Sequence, residues 1–234
     1  MTRVNELGQA IGAPVPDWTA CAPIPHTPMR GRTCDVVPLA RSHAADLHAA
    51  FSAETTGALW TYMPTGPFTS EADYTAWVTN ACTSTDPLFF TIIDTATDKP
   101  VGVASYLRIQ PEHGVAEVGY ITFSPALQRT PMATEAMYLM MKRVFDELGY
   151  RRYEWKCDAL NAPSRRAAER LGFTYDGLFR QALIYKGRNR DTAWFSILDQ
   201  DWQRIKAALE SWLAPTNFHE TGRQKQTLQS FMAK

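Results

Sequence analysis

Apolar positions recur along this chain with two periods, and the change from one to the other marks its elements. Val36 and Val37 stand between turn formers and predict a short strand over 34–39. Ala44, Leu47, His48 and Phe51 fall at helical spacing within 41–52. A second helix is predicted over 70–83, with Ser70 as its cap, Glu71 and Asp73 in its first turn, and Tyr74, Trp77, Val78 and Ala81 on one face. The pattern then turns to strands at 88–94, 101–109 and 116–123, separated by turn signals at 98–100 and 110–114, as in an antiparallel meander. A long helix follows over 132–148, with Ala133, Ala136, Met137, Met140, Met141, Val144 and Leu148 on one side and Gly149 as its stop. A strand at 152–158, a short helix at 163–171 ended by Gly172, and strands at 173–180 and 192–198 come next. Trp202, Ile205, Leu209, Trp212 and Leu213 form the stripe of a last helix.

A strand, a crossover helix and another strand (123 to 152) place one parallel pair inside an otherwise antiparallel sheet, so the fold class is α+β. Residues 1–29 contain five prolines and read as an irregular arm lying on the domain. The expected units are this arm, a domain over 30–198, a helix over 199–214, and a polar tail over 215–234 expected to be mobile. No internal repeat is visible.

Composition narrows the function classes. Apolar residues make up 45% and charged residues 21% of 234 positions, enough to fill a core and too apolar for a disordered chain. No apolar stretch is long enough to span a bilayer, and the first ten residues lack a secretory pattern, so a cytoplasmic protein without a membrane partner is expected. Cys21, Cys34, Cys82 and Cys157 show no metal-ligand spacing, and no metal is expected. Lys and Arg total 24 against 24 Asp and Glu. The balance is local: between Gln128 and Arg190 there are 13 basic and 7 acidic residues, and elsewhere 11 and 17. No aromatic-interleaved basic run supports a nucleic-acid partner, so the basic stretch points to a small anion or to solvated helix faces.

The window 116–136, AEVGYITFSPALQRTPMATEA, carries the chemistry. A strand breaks at Ser124-Pro125, passes through Gln128-Arg129-Thr130-Pro131 and enters a helix. Such a loop presents unpaired N–H groups and the positive end of the helix dipole, which suit a pyrophosphate. The same residues also read as an ordinary loop capped by Thr130 with Pro131 at the first helical position.

Together with LGYRRYEWKCDALNAPSRRAAERLGFTYDGLFR, this run resembles the GCN5-related N-acetyltransferases (GNAT), specifically their RimJ/RimL-type branch, over residues 30–198. Gln128, Ala133, the Thr134-Glu135-Ala136 helix start, Asn161, Ser164 and Gly172-Phe173 carry the likeness. It implies a mixed, mostly antiparallel sheet with a splayed parallel pair, flanked by helices. It also implies acetyl-CoA as co-substrate and a primary amine (a small molecule or a peptide N-terminus) as acceptor, attacked directly in a ternary complex. The cofactor would lie against Ile121, Phe123, Gln128, Arg129, Thr130, Met132, Ala133, Thr134, Asn161, Ser164 and Arg166. The resemblance places Glu117 as general base and Ser164 as partner of the departing thiolate. As plain residues these are an outward strand carboxylate and a helix-start serine. Two departures stand out. Pro131 replaces the first loop glycine and removes a phosphate donor. Ala168 stands where many relatives carry a tyrosine acid.

Acceptor contacts are expected from the N-terminal helices and their connection, Trp60, Tyr62 and Phe68, and from Tyr106 and Trp155; each is also a packing candidate. The loop 185–191 is expected to fold over the site. Cys157 alternates within a strand and reads as packing. The final helix with its tryptophans is a homodimer surface or a cover for the core. The competing function is a non-catalytic acyl-CoA-binding or regulatory protein on the same fold, motivated by Pro131 and Ala168.

Overall fold

The computed structural model describes residues 3–233. In chain order the strands and α-helices are β1 (Arg3–Val4), β2 (Ala10–Ile11), β3 (Met29–Arg30), β4 (Cys34–Pro38), α1 (Ala44–Ser52), α2 (Glu71–Ala81), β5 (Leu88–Asp94), β6 (Lys99–Gln110), β7 (Val115–Phe123), α3 (Pro131–Lys142), β8 (Arg152–Asp158), α4 (Ala162–Arg170), β9 (Thr174–Tyr185), β10 (Arg188–Leu198), α5 (Asp199–Leu213) and α6 (Leu228–Met232). Eight of the strands form one sheet in the order β3-β4-β5-β6-β7-β8-β10-β9. Every neighbouring pair in it is antiparallel except β7 and β8. This is the α+β sheet with one parallel pair that the crossover helix requires.

One face of the sheet packs on α3 and α5. Phe90, Ala104, Tyr106, Val118, Tyr153, Trp155 and Phe195 meet Met137, Met140, Met141, Trp202 and Leu209 there. The other face carries a smaller cluster under α1 and α2, in which Phe89 and Val103 meet Leu47, Phe51, Trp60, Tyr74 and Val78. Ser70 caps α2, its hydroxyl accepting from the Asp73 N–H. Thr130 caps α3 in the same way, accepting from the Ala133 N–H at 3.2 Å. Each such cap is worth about 1 kcal/mol. α3 continues through a π-helical segment, Arg143–Glu147, where Arg143 turns inward and donates to the carbonyls of Pro25, Thr27 and Pro28. The proline-rich arm is thereby tied to the back of α3.

Three expectations change. The segment 185–191, read as a loop, is mostly strand: β9 and β10 run on to a tight turn at Lys186-Gly187. The tail is folded, because Leu228, Phe231 and Met232 recur at helical spacing and α6 packs them on the main core. Asn217 fixes that return by donating to the Trp212 and Gln226 carbonyls and accepting from the Gln226 N–H. Trp202 and Trp212 lie within their own chain's core, 2% and 4% exposed, so these two side chains cover the core. No helix among the described residues is long and apolar enough to cross a membrane.

Candidate active site

The site begins where two strands stop pairing. β7 and β8 are in register from Val115 with Arg152 to Val118 with Trp155, and no further. β7 continues to Phe123 and β8 to Asp158, so a gap opens between them and leaves the β8-facing backbone groups of residues 119–123 without a strand partner. Tyr120, at φ 50°, absorbs an extra residue opposite β6 and bends β7 at this point.

The loop from β7 into α3 forms the floor of the gap. Gln128 Nε2 donates to the Phe123 carbonyl at 2.8 Å, and the Gln128 N–H donates to Ser124 O. Gln128 therefore shapes the loop. Arg129 takes a left-handed conformation (φ 61°), and its exposed side chain has no partner among the described residues. Among the described residues nothing accepts from the N–H groups of Arg129, Thr130 and Met132, whereas that of Ala133 is taken by the Thr130 cap. Pro131 lacks an N–H, yet three donors remain at the positive end of a 12-residue helix. Thr134 is buried, and its hydroxyl accepts from Arg170 Nη1 at 3.0 Å. That contact draws a guanidinium from α4 to the first turn of α3. Arg170 also lies over the Trp212 ring at 4.8 Å. Glu135 faces the other way, accepting from the N–H groups of Arg32 and Thr33 and from the Thr33 hydroxyl. It anchors α3 to the turn before β4.

Beyond β8, Asn161 caps α4 by accepting from the Ser164 N–H at 3.1 Å, which leaves its amide NH2 unused by protein. Ser164 Oγ accepts from Trp155 Nε1 at 3.0 Å and lies beside the Cys157 thiol, which burial raises above its ordinary value. Arg166 is exposed and without a protein partner. Ile121, Phe123, Met132 and Ala133 are half-buried against the main core at the same end of the sheet.

Glu117 lies two residues before the gap and is 4% exposed. Its Oε2 meets Lys156 Nζ at 2.8 Å and Arg108 Nη1 at 3.1 Å. Lys156, itself buried, reaches Glu154 Oε2 at 2.6 Å and lies 3.6 Å above the centroid of a Trp194 ring. Glu154 is held in turn by Arg152, which bonds Asp176 and Ser196. Burial raises the Glu117 carboxyl above the ordinary range, with Lys156 and Arg108 opposing it. Burial pushes Glu154 the same way, but its bonds to Lys156 and Arg152 win and hold it low. The alternation Arg152, Glu154, Lys156 against Tyr153, Trp155, Cys157 was visible in the sequence as charge of period two. Its partners across the sheet were not. Arg108 and Arg170, separated from the site in sequence, had no local signal.

The acceptor-side residues divide. Tyr62 donates from its hydroxyl to Leu160 O at 3.2 Å and Met63 meets Thr122, so segment 60–65 lies across the end of the gap. The β9–β10 turn clamps it: Lys186 Nζ donates to Trp60 O and Thr65 O, and Arg188 to Thr61 O. Trp60 and Phe68 turn instead into the second cluster, where their rings are 5.2 Å apart. Two residues belong elsewhere. Tyr106 is wholly buried between Phe90 and Tyr153 and donates to Met140 O, under α3. The Trp155 ring packs on Phe173 in the main core, so only its N–H reaches the site, through Ser164. Both sit on the core face of their strands and cannot line an open acceptor surface. Part of the basic excess is spent on the fold itself: Arg143, Arg152 and Lys156 turn inward, and Lys186 and Arg188 clamp carbonyls at the surface, whereas Arg129 and Arg166 have no partner among the described residues.

An acetyltransferase (GNAT) domain model matches residues 36–174. The chain belongs to the GNAT acetyltransferase family. A crystal structure of a GCN5-related N-acetyltransferase from Brucella melitensis is similar over 93% of this chain and 99% of its own, with 46% identity and a TM-score of 0.91. An uncharacterized N-acetyltransferase of Bacillus subtilis (strain 168), YnaD, is 28% identical over 141 residues, 60% of this chain and 81% of that protein. N-acetyltransferase p20 of Bacillus licheniformis, also uncharacterized, is 32% identical over 113 residues, 48% of this chain and 63% of its own length. The GNAT model thus covers the gap, the α3 loop and α4, and leaves the N-terminal arm, the β10 strand, α5 and α6 outside it. Among the described residues no three His, Cys, Asp or Glu side chains are grouped to hold a metal.

Proposed function

We propose that this GNAT protein transfers the acetyl group of acetyl-CoA to a primary amine, of a small molecule or a peptide N-terminus, by direct attack in a ternary complex. We place it in the RimJ/RimL-type branch on its QRTPMATEA and NAPS segments. The observation that carries the reading is the gap between β7 and β8, flanked by an α3 loop with three unengaged N–H groups and by a buried carboxylate.

The residues fit the co-substrate. The N–H groups of Arg129, Thr130 and Met132, with the Arg129 and Arg166 side chains, would hold the phosphates, and Arg170 adds its charge at Thr134. The free amide NH2 of Asn161 would hold the pantetheine arm. When bound, acetyl-CoA supplies the activated thioester. The chain supplies orientation and proton handling. Glu117 accepts the proton of the amine through water, and burial, by raising its affinity for protons, makes it a stronger base than an exposed glutamate. Lys156 and Arg108 are positioning residues that fix its rotamer. Ser164 accepts from Trp155, and its hydroxyl proton, shared at rest with the Cys157 thiol, would pass to the departing sulfur. Ala168 is fully buried, which leaves that position no part in proton transfer.

A thermal-shift titration tests the cofactor: stabilisation growing with the logarithm of acetyl-CoA concentration is expected, and none at millimolar levels would sink the reading. Free thiol released over a panel of primary amines tests the transfer. The second reading, an acyl-CoA-binding protein without transfer, rests on Pro131 and predicts stabilisation with no thiol release.

A further inference from the structure

The eight-stranded sheet ends in two unlike edges. β3 is two residues long, and the proline-rich arm leads into it. β9 is twelve residues long, with β10 on one side and no strand on the other. Among the described residues no hydrogen bond from another segment reaches its outer backbone groups. A long free edge is a template for another strand, and proteins that stay single blunt it with proline, lysine or bulges. Thr174–Tyr185 contains neither Pro nor Lys. It does carry two bulges, but both are tied back to β10: Asp176 accepts from the Ser196 hydroxyl, and the N–H of Gln181 (φ 50°) donates to Asp191 Oδ1. The run between them, 177–179, stays in register with 192–194 and lies open along its outer side.

The side chains of this strand are as open as its backbone. Of the ten large apolar residues exposed among those described, five stand on β9: Tyr175, Leu178, Phe179, Leu183 and Ile184, 45–86% exposed. They flank the edge on both faces. Tyr175 meets Phe195 on the main-core side, whereas Phe179 stacks at 4.4 Å on Trp194, the ring over Lys156. A body laid on one face would leave the other set in water; a strand added at the edge lies beside both. At about 200 Å² for a large side chain, these five leave roughly 500 Å² of apolar surface per copy. With the polar groups between them, that approaches the roughly 800 Å² per partner of a stable interface. Charge selects the partner. The strand carries one Asp and one Arg, Asp176 and Arg180, placed symmetrically about Leu178. Antiparallel pairing of two copies about Leu178 brings the Asp176 end of each strand to the Arg180 end of the other and sets no like charges together.

We propose that two copies of this chain pair antiparallel through β9, about a two-fold axis near Leu178, so that their sheets run on as one. The contact is the same patch on both copies, so it closes and consumes both free edges. It also braces the hairpin whose turn holds segment 60–65 through Lys186 and Arg188. The inference goes beyond the acetyl-transfer reading and rests on no part of it.

Sedimentation velocity of the full chain over a dilution series is expected to show twice the chain's mass, giving way to the single chain on dilution. Amide hydrogen exchange over 174–185 is expected to slow as the dimer forms. Leu178→Lys sets two ammonium groups against each other at the axis and should raise the dissociation constant about tenfold or more. The Leu178 side chain is half exposed in the single chain, so far-ultraviolet circular dichroism should not change. Leu7→Lys, at a position 81% exposed in the N-terminal arm, tests a dimer built on the arm instead and should leave the constant unchanged. A single chain at every concentration overturns the proposal. So does a dimer that Leu178→Lys leaves intact, one that Leu7→Lys dissolves, or one whose 174–185 amides exchange as fast as in the single chain. No acetyl-CoA is present, so a failed transfer assay leaves this result standing, and the reverse.

Discussion

β7 and β8 share one backbone ladder but present two different interiors. On the α3 side, Ala116, Val118, Tyr153 and Trp155 are packed among methionines and aromatics, and shape complementarity holds them. One residue away, Glu117, Glu154 and Lys156 are as deeply buried, yet they are held by charge along the line Asp176, Arg152, Glu154, Lys156, Glu117, Arg108. The apolar face can absorb a volume-conserving change by repacking, whereas the ionic one depends on every member having its partner. Buried charges add little net stability over an apolar packing of the same shape, so the ladder is not explained by stability. It is explained by position: it fixes a carboxylate two residues before the point where the strands part.

The largest effects are expected from breaking the ladder at its centre. Lys156→Met leaves two buried carboxylates facing each other and should cost about 3–5 kcal/mol in urea unfolding. Adding Glu154→Gln should recover part of that loss, because one uncompensated charge goes with it. Full additivity of the two changes would show the residues uncoupled. On the other face, Met140→Ala should cost a similar amount, about 2–5 kcal/mol, through a cavity. It should leave the pH dependence of turnover untouched, and a shifted profile would mean that the faces are not independent.

The ladder also makes a pH prediction with opposite signs at its two carboxylates. Glu117 is raised in the folded chain, so its contribution is greatest in acid and is lost as pH climbs from the ordinary glutamate range through its raised value. Glu154 is lowered, so its contribution is present above the ordinary range and is lost as pH falls through its folded value. The stability advantage of the native chain over Glu117→Gln should therefore shrink as pH rises across the acid range. For Glu154→Gln the advantage should grow. In turnover, Lys156→Met should move the acid limb to higher pH by about one unit or more, since an opposite charge has been removed from the base. A limb that does not move would take Glu117 out of the base role.

The same contrast explains what the sequence could disclose. Elements set by local periodicity were legible: the meander, the crossover helix and its Thr130-Pro131 start all follow from apolar spacing and capping chemistry. Whether Tyr106 or Trp60 faces a site or a core was not, because an aromatic at the right period serves either. Tyr106 proved to be core, closed over by Met140, a residue 34 positions later. The polar tail was misread because three apolar residues, Leu228, Phe231 and Met232, are too few to signal a helix until α5 supplies the surface they cover. The basic excess of 128–190 was visible, but its use was not. Five of those charges, Arg143, Arg152, Lys156, Lys186 and Arg188, reach carbonyls and carboxylates brought near only by the fold.

The smallest effect expected tests the second cluster, where neither packing nor charge is complete. Tyr74 is buried among Phe51, Phe68 and Trp77, and its hydroxyl finds no partner, unlike that of Tyr106. Tyr74→Phe removes only that oxygen. With that oxygen unsatisfied in the folded chain, its loss should raise stability, by about 1 kcal/mol. Tyr106→Phe strips the Met140 carbonyl of its phenolic donor and should lower stability by a similar amount. Two identical substitutions with opposite signs, read as melting temperatures in the same buffer, would separate a phenol whose oxygen is bonded from one buried for its ring alone. A loss at both positions would mean that the Tyr74 hydroxyl is already satisfied.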